Sequence, residues 1–311
     1  MTARGFVAGR GSVNSFVPRV GVHRISGYDL QFEDVLRAEG SFHSDILAAY
    51  NVIPEHERAD FKHNGAVTSV IGLNIDGGIV RGKVNRTNYF FRNAMERVAE
   101  LDTEPQEMAR YSPNILNTSL WSVIKDEDDG GRYKLVCHLR GVGALGQGQI
   151  FTGIAAGHVD ANHLASRNPI EESFREEVGE DLTSGFLEEY SGSLTGFRYL
   201  VSEGKTGAVN LVKLLRLGDK SKLISYMEKG HRLLVEQDDG SPEIGGVVLI
   251  PLEDISNYPD CQVLDFQGQS SPQGRVENLL AFRLRPYSQK VLQFLRKDEA
   301  ARKELLELSG F

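Results

Sequence analysis

One segment constrains this chain more than any other: Pro169-Ile-Glu-Glu-Ser-Phe-Arg-Glu-Glu-Val-Gly-Glu-Asp-Leu182. Ile170, Phe174 and Val178 recur every four residues, which draws an apolar stripe along one side of a helix and requires other elements to cover it. Six of the eleven residues from Glu171 to Asp181 are acidic, so the remaining sides are strongly charged. Pro169 suits a first helical turn. Gly179 would cost about 1 kcal/mol inside a helix, so it is read as the residue that ends it. Glu172 and Glu176 share a face at a spacing of four, Glu177 stands beside them, and Arg175 is the one cation nearby. A hard divalent ion relieves such repulsion, and Mg²⁺ commonly bridges carboxylates to phosphates. The plain alternative is a solvated acidic face with no ligand.

The order of elements around this segment favours a site. Strand signals run through Leu120–Ile124, then an Asp126–Gly131 turn, then Tyr133–Arg140. Further strands fit residues 150–155, 193–201, 208–217 and 246–251, and a helix fits 219–229. A strand therefore leads through Gly157-His158-Val159-Asp160 and a short loop into the acidic helix. Upstream, 66–91 reads as a β-hairpin turning at Asp76-Gly77-Gly78, while 31–50 and 92–101 carry helical spacing. Two prolines and mixed charge at 102–114 mark a boundary, giving an N-terminal α+β region over 1–112 and a second domain over 113–311. The C-terminal stretch 275–308 reads as two helices separated at Pro286.

From Gly157 to Gly179 the chain resembles the Nudix hydrolases, whose box is G-x5-E-x7-R-E-U-x-E-E-x-G-U with U a bulky aliphatic. One register sets Glu176 and Glu177 on the paired glutamates, Phe174 on the buried bulky position, Gly179 on the closing glycine and Gly157 on the opening one, with one extra loop residue. Ser173 then stands where the family has its first helix glutamate, and Glu172 is the substitute carboxylate one position earlier. A second register sets Glu177, Glu180 and Asp181 on the ligand positions, but needs about five inserted residues and leaves Gly179 mid-helix. The first is preferred for its shorter insertion and its account of Gly179. The resemblance covers roughly 115–300 and includes the IPLEDI segment at 250–255.

The resemblance implies an α/β fold, an α/β/α sandwich around a mixed sheet, and hydrolysis of a diphosphate linkage in a nucleoside-diphosphate-type substrate. It implies Mg²⁺ or Mn²⁺ held by Glu172, Glu176 and Glu177, with the Gly157 carbonyl assisting. Arg140, Lys134, Arg198 and Lys213 are candidates to contact phosphate, and Phe197 and Tyr199 to stack a base. Glu172, Glu236, Asp238 and Asp239 are candidate general bases. A catalytically weak module that binds a nucleotide or a protein is the alternative, since Ser173 occupies a ligand position.

Other signals carry less. The run Gly141-Val-Gly-Ala-Leu-Gly146 spells a dinucleotide-binding pattern, but a new strand follows where a helix would have to open. His158 and His163 are read as structural, because hard ions prefer oxygen. Cys137 is read as a core residue. With 35 basic and 43 acidic residues, net −8, general nucleic-acid binding is not expected. Two cysteines exclude a disulfide framework, and the chain has neither a membrane-length apolar run nor a secretory h-region near residue 1. The expected location is cytoplasmic, and homodimer formation is left open.

Overall fold

Along Leu116–Asp126 (β5) the side chains alternate between two apolar surroundings. Leu116, Leu120 and Ile124 enter one core, Trp121 and Val123 another. Val247 and Leu249 against Val248 and Ile250 repeat this in Ile244–Pro251 (β11). Period-two side chains that are apolar on both faces require cover on both faces, and helices supply it. The computed structural model describes residues 21–36, 66–88, 115–141, 148–190, 192–193, 196–203, 208–218, 220–237, 244–266 and 273–307.

The remaining strands are β1 (Gly21–Arg24), β2 (Gly27–Leu36), β3 (Ala66–Asp76), β4 (Ile79–Asn88), β6 (Arg132–Arg140), β7 (Gln149–Thr152), β8 (Ala155–His158), β9 (Tyr199–Ser202), β10 (Val209–Leu217), β12 (Asp260–Asp265), β13 (Gln273–Asn278) and β14 (Arg283–Leu284). The large sheet runs β1-β9-β10-β5-β6-β11-β12-β13, with β8 on β5 and β7 between β6 and β14. It is mixed: β10 runs parallel to β5 and β14 to β7, while the other pairs are antiparallel. One face carries α1 (Pro169–Leu182), α2 (Ser184–Tyr190) and α3 (Lys220–Gln237), packed through Phe174, Phe186 and Met227. The other carries α4 (Pro286–Lys297) and α5 (Glu299–Glu307), packed through Tyr287, Leu295 and Leu305. No helix among the described residues is long and apolar enough to cross a membrane.

The hairpin expected at 66–91 is present. Gly77 and Gly78 turn it with φ of 55° and 81°, the left-handed pair that a tight hairpin needs. Two expectations fail. Gln31–Leu36 belongs to β2 rather than to a helix, because Leu30 is buried, Gln31 exposed and Phe32 half-buried, an alternation with period two, and β2 lies parallel to β4. The region before Pro286 is not helical: β13, a 3-10 turn and β14 occupy it, and Pro286 opens α4, where its missing N–H costs nothing. The helix expected at 92–101 lies outside the described residues.

Among the described residues, chain on both sides of residue 112 meets in several places. Strand β1 pairs with β9 inside the large sheet. The three-stranded sheet β2-β4-β3 touches the rest through bridges from Val67 to Asp160 and from Ser69 to Ile115.

Candidate functional site

Helix α1 forms because its stripe is apolar: Ile170, Phe174, Val178 and Leu182 are all buried. Each such side chain contributes about 1.5–3 kcal/mol on burial. The helix does not stop at Gly179. It continues to Leu182, and the Thr183 amide donates to the Gly179 carbonyl at 3.0 Å. Gly179 therefore does not terminate the helix; a Cβ there would lie 3.3 Å from Leu187 Cδ1, a close approach of α2. That removes one of the two grounds for preferring the first register.

With the stripe fixed, the acids divide between two flanks. On the outer flank, His163 Nε2 lies 2.7 Å from Glu176 Oε2, and His163 Nδ1 lies 3.5 Å from Glu172 Oε2. The Glu176 carboxylate first, with Asp160 and Glu172 adding to it, raises the imidazole pKa above its ordinary value against a smaller opposing effect of burial. Donor atoms of Asp160, His163 and Glu176 all lie within 4.8 Å of one another. On the inner flank Glu177 lies over Gly157: a Cβ built there would fall 1.7 Å from Glu177 Cδ. Only glycine leaves room for the carboxylate in this position. Asp181 Oδ2 accepts from the Ala156 amide at 3.2 Å. Glu180 is exposed on the last turn.

The loop joining β8 to α1 is held from several sides. Asp160 caps the 3-10 turn Ala161–Ala165 by accepting from the Asn162 amide at 2.7 Å. Its own amide donates to the buried Ser173 hydroxyl at 3.1 Å. Ser173, which stands where a glutamate was expected, therefore ties the loop to the helix. From the small sheet, Thr68 donates twice to the Val159 carbonyl, from its amide and from its hydroxyl. Tyr28 donates to Asn168, the residue before α1, at 3.1 Å. Burial, with a smaller effect from Glu171, pushes the Tyr28 pKa up to about 12, so the phenol stays protonated and able to donate.

The outer candidates fare differently. Lys213 is 2% exposed, donates to Glu171 at 2.7 Å and lies over the rings of Phe174 and Phe197 at 5.0 and 4.8 Å. It is a strut beneath α1 and not a phosphate contact. Lys134 is likewise buried, 2.7 Å from Asp126, which also meets Lys220 at 2.8 Å. Burial opposes the Asp126 charge, but the two ammonium groups outweigh it and hold the carboxyl pKa below its usual value. Phe197 is core, in edge contact with Phe174. Tyr199 is buried on Trp121, with its hydroxyl donating to Glu304. Arg140 closes β6 opposite Ile244, beside His138 and not on α1. Asp238, Asp239 and the 142–147 part of the glycine-rich run lie outside the described residues, as does the Glu236 side chain. Cys137 is buried, as expected.

The sequence pattern does not single out Asp160 as a ligand, and it points to a structural role for His163. The available signal was their spacing of three, which a 3-10 turn brings to one side.

No protein-family model matches the chain, and no curated protein does either. Among solved structures, a MutT/nudix family protein from Enterococcus faecalis is similar over 70% of this chain and 78% of that chain, with 12% identity and a TM-score of 0.32. At this TM-score the likeness establishes neither a family nor an activity.

Proposed function

We propose that the chain is a metal-dependent hydrolase of Nudix type, with the α/β/α sandwich that family uses, cleaving a diphosphate linkage in a nucleoside-diphosphate-type substrate. One observation carries the reading: donor atoms of Asp160, His163 and Glu176 lie within 4.8 Å of one another beside α1, with the Glu177 side chain over Gly157 on the neighbouring flank. The donor set fits a small divalent ion. It is rich in carboxylate oxygen, as Mg²⁺ and Mn²⁺ require, and its one imidazole favours Mn²⁺. Asp160, Glu172, Glu176 and Glu177 would hold the ion, with His163 either joining them or keeping Glu176 in place.

When bound, such an ion neutralises diphosphate charge and lowers the pKa of a coordinated water. The chain's own groups do the rest. The bare backbone at Gly157 keeps the Glu177 carboxylate against β8. Ser173 and Thr68 hold the two ends of the peptide group that leads into Asp160. Glu172, exposed at the rim, would serve either as a ligand or, left off the ion, as the group that takes the proton from attacking water.

The test is turnover of dinucleoside polyphosphates, nucleotide sugars and NAD-type dinucleotides in Mg²⁺ or Mn²⁺. Turnover that is lost in chelator and in Glu177→Gln supports the reading. Turnover that survives both Glu176→Gln and Glu177→Gln overturns it. Ser173, buried and bonded to the Asp160 amide, favours a second reading: a nucleotide-binding module short of one carboxylate. Thermal stabilisation by a nucleotide in Mn²⁺ with no product formed would select that alternative.

A further inference from the structure

On the other face of the sheet, where α4 crosses β14, a cleft of about 390 Å³ opens between Arg283, Arg296 and Tyr258. Its lining holds two guanidinium groups and no carboxylate, in a chain of net charge −8. Neither arginine forms an ion pair among the described residues. Arg296 is fixed: its Nε donates to the Ile255 carbonyl at 2.9 Å and its guanidinium lies 3.4 Å from the centre of the Tyr258 ring. Its Nη2 is enclosed and meets no acceptor among the described residues. Arg283 is exposed on a two-residue strand at the rim. The floor is apolar, made by Leu284, Leu292 and Phe282, and the amide side chains of Gln149 and Gln293 border it.

We infer that this cleft binds a small phosphate monoester with a flat or apolar organic part. Two guanidiniums on separate elements, with no protein anion in the lining, suit a group carrying about two negative charges, and the exposed Arg283 can present its planar fork to phosphate oxygens while Arg296 adds charge. A single carboxylate would leave one of them uncompensated. The volume exceeds that of a bare phosphate ion, and Phe282, Leu284 and Leu292 line it while also packing on the core beneath, so the ligand brings an organic portion to lie against them. This site owes nothing to the acids of α1, which pack on the opposite face.

Calorimetric titration of the full chain in chelator, with phenyl phosphate, inorganic phosphate and benzoate as probes, tests it. Phenyl phosphate is expected to bind with a Kd of about 1 mM or tighter, and the other two about tenfold more weakly. Arg283→Gln, at an exposed position, is expected to weaken phenyl phosphate about tenfold. Arg296→Lys, which keeps the charge, weakens it by less. Glu177→Gln leaves binding unchanged. No binding of phenyl phosphate, equal binding of benzoate or of inorganic phosphate, or indifference to Arg283→Gln each overturns the inference. Binding lost in Glu177→Gln would move the site to α1 and overturn it too.

Discussion

The two faces of the large sheet start from the same material and end differently. Alternate residues of β5, β10 and β11 feed both cores, and helices cover both. On the α1 face the helix turns its charges outward and gathers them at the end of β8. On the α4 face one polar cluster lies inward, beneath the helix. Tyr287 is buried with its hydroxyl 2.7 Å from Ser119 Oγ and 2.7 Å from Trp121 Nε1, and its ring stacks on Phe151, which stacks on His138. Burial raises the Tyr287 pKa, and hydrogen bonds from its neighbours only moderate the rise. A polar group that is enclosed and satisfied contributes stability and specificity of packing. A group that is exposed and crowded by like charge contributes little stability and remains available to a ligand. The contrast is between the enclosed polar cluster around Tyr287, which holds the sheet and helix together, and the exposed acids of α1, which stay open to a ligand.

The sharpest way to break this contrast is on the α1 face. Glu177→Gln is expected to lower metal-dependent turnover about a hundredfold or more with little change in the denaturation midpoint. Gly157→Ala is expected to follow it, because the new Cβ displaces the flexible Glu177 side chain and leaves the strand intact. A large stability loss with unchanged turnover would reverse the assignment of the two faces.

The α4 face answers in stability. Tyr287→Phe leaves Trp121 Nε1 and Ser119 Oγ without their shared partner, and urea unfolding is expected to show a loss of about 1–3 kcal/mol, with turnover per folded molecule unchanged. His138 gives a smaller, pH-dependent effect. Burial first, then the nearby Arg140 and Arg285 charges, lower its pKa from 6.5 to about 3. Below pH 6.5 the unfolded chain takes up a proton that the folded chain refuses, so stability falls as pH drops from 6.5 towards 3. The slope from this one residue is at most about 1.4 kcal/mol per pH unit. Subtracting the pH profile of His138→Leu from that of the parent chain isolates it. Equal slopes would show that the imidazole is not held neutral.

The least effect is expected from Tyr28→Phe. It removes one hydrogen bond to Asn168, worth about 0.5–1.5 kcal/mol, and is expected to raise the metal concentration needed for turnover by loosening the start of α1. An unchanged metal requirement would show that the small sheet does not steady the site.

Local signals were legible from the residues alone. The Asp76-Gly77-Gly78 hairpin, the strands flanking the Asp126–Gly131 turn and the apolar stripe of α1 all follow from contacts within a dozen residues, where periodicity and turn chemistry decide. Gln31–Leu36 misled because apolar spacing in a short run fits a helix or a strand, and only pairing with the distant β4 chose the strand. Gly179 misled because an internal glycine reads as a stop until a second helix is seen packed on it. Lys134, Lys213 and Tyr199 looked available for substrate because a sequence lists charges and rings without showing what encloses them.

The chain itself determined that an acidic amphipathic helix would follow a Gly157–Asp160 strand end, because side-chain period and backbone chemistry are local properties. Only the tertiary structure decided which carboxylates meet. Whether Glu177 lies over Gly157 and Glu176 against His163 depends on how α1 is rotated on the sheet, and that rotation is set by Ile170, Phe174 and Val178 finding their places in a core assembled from the whole length of the chain.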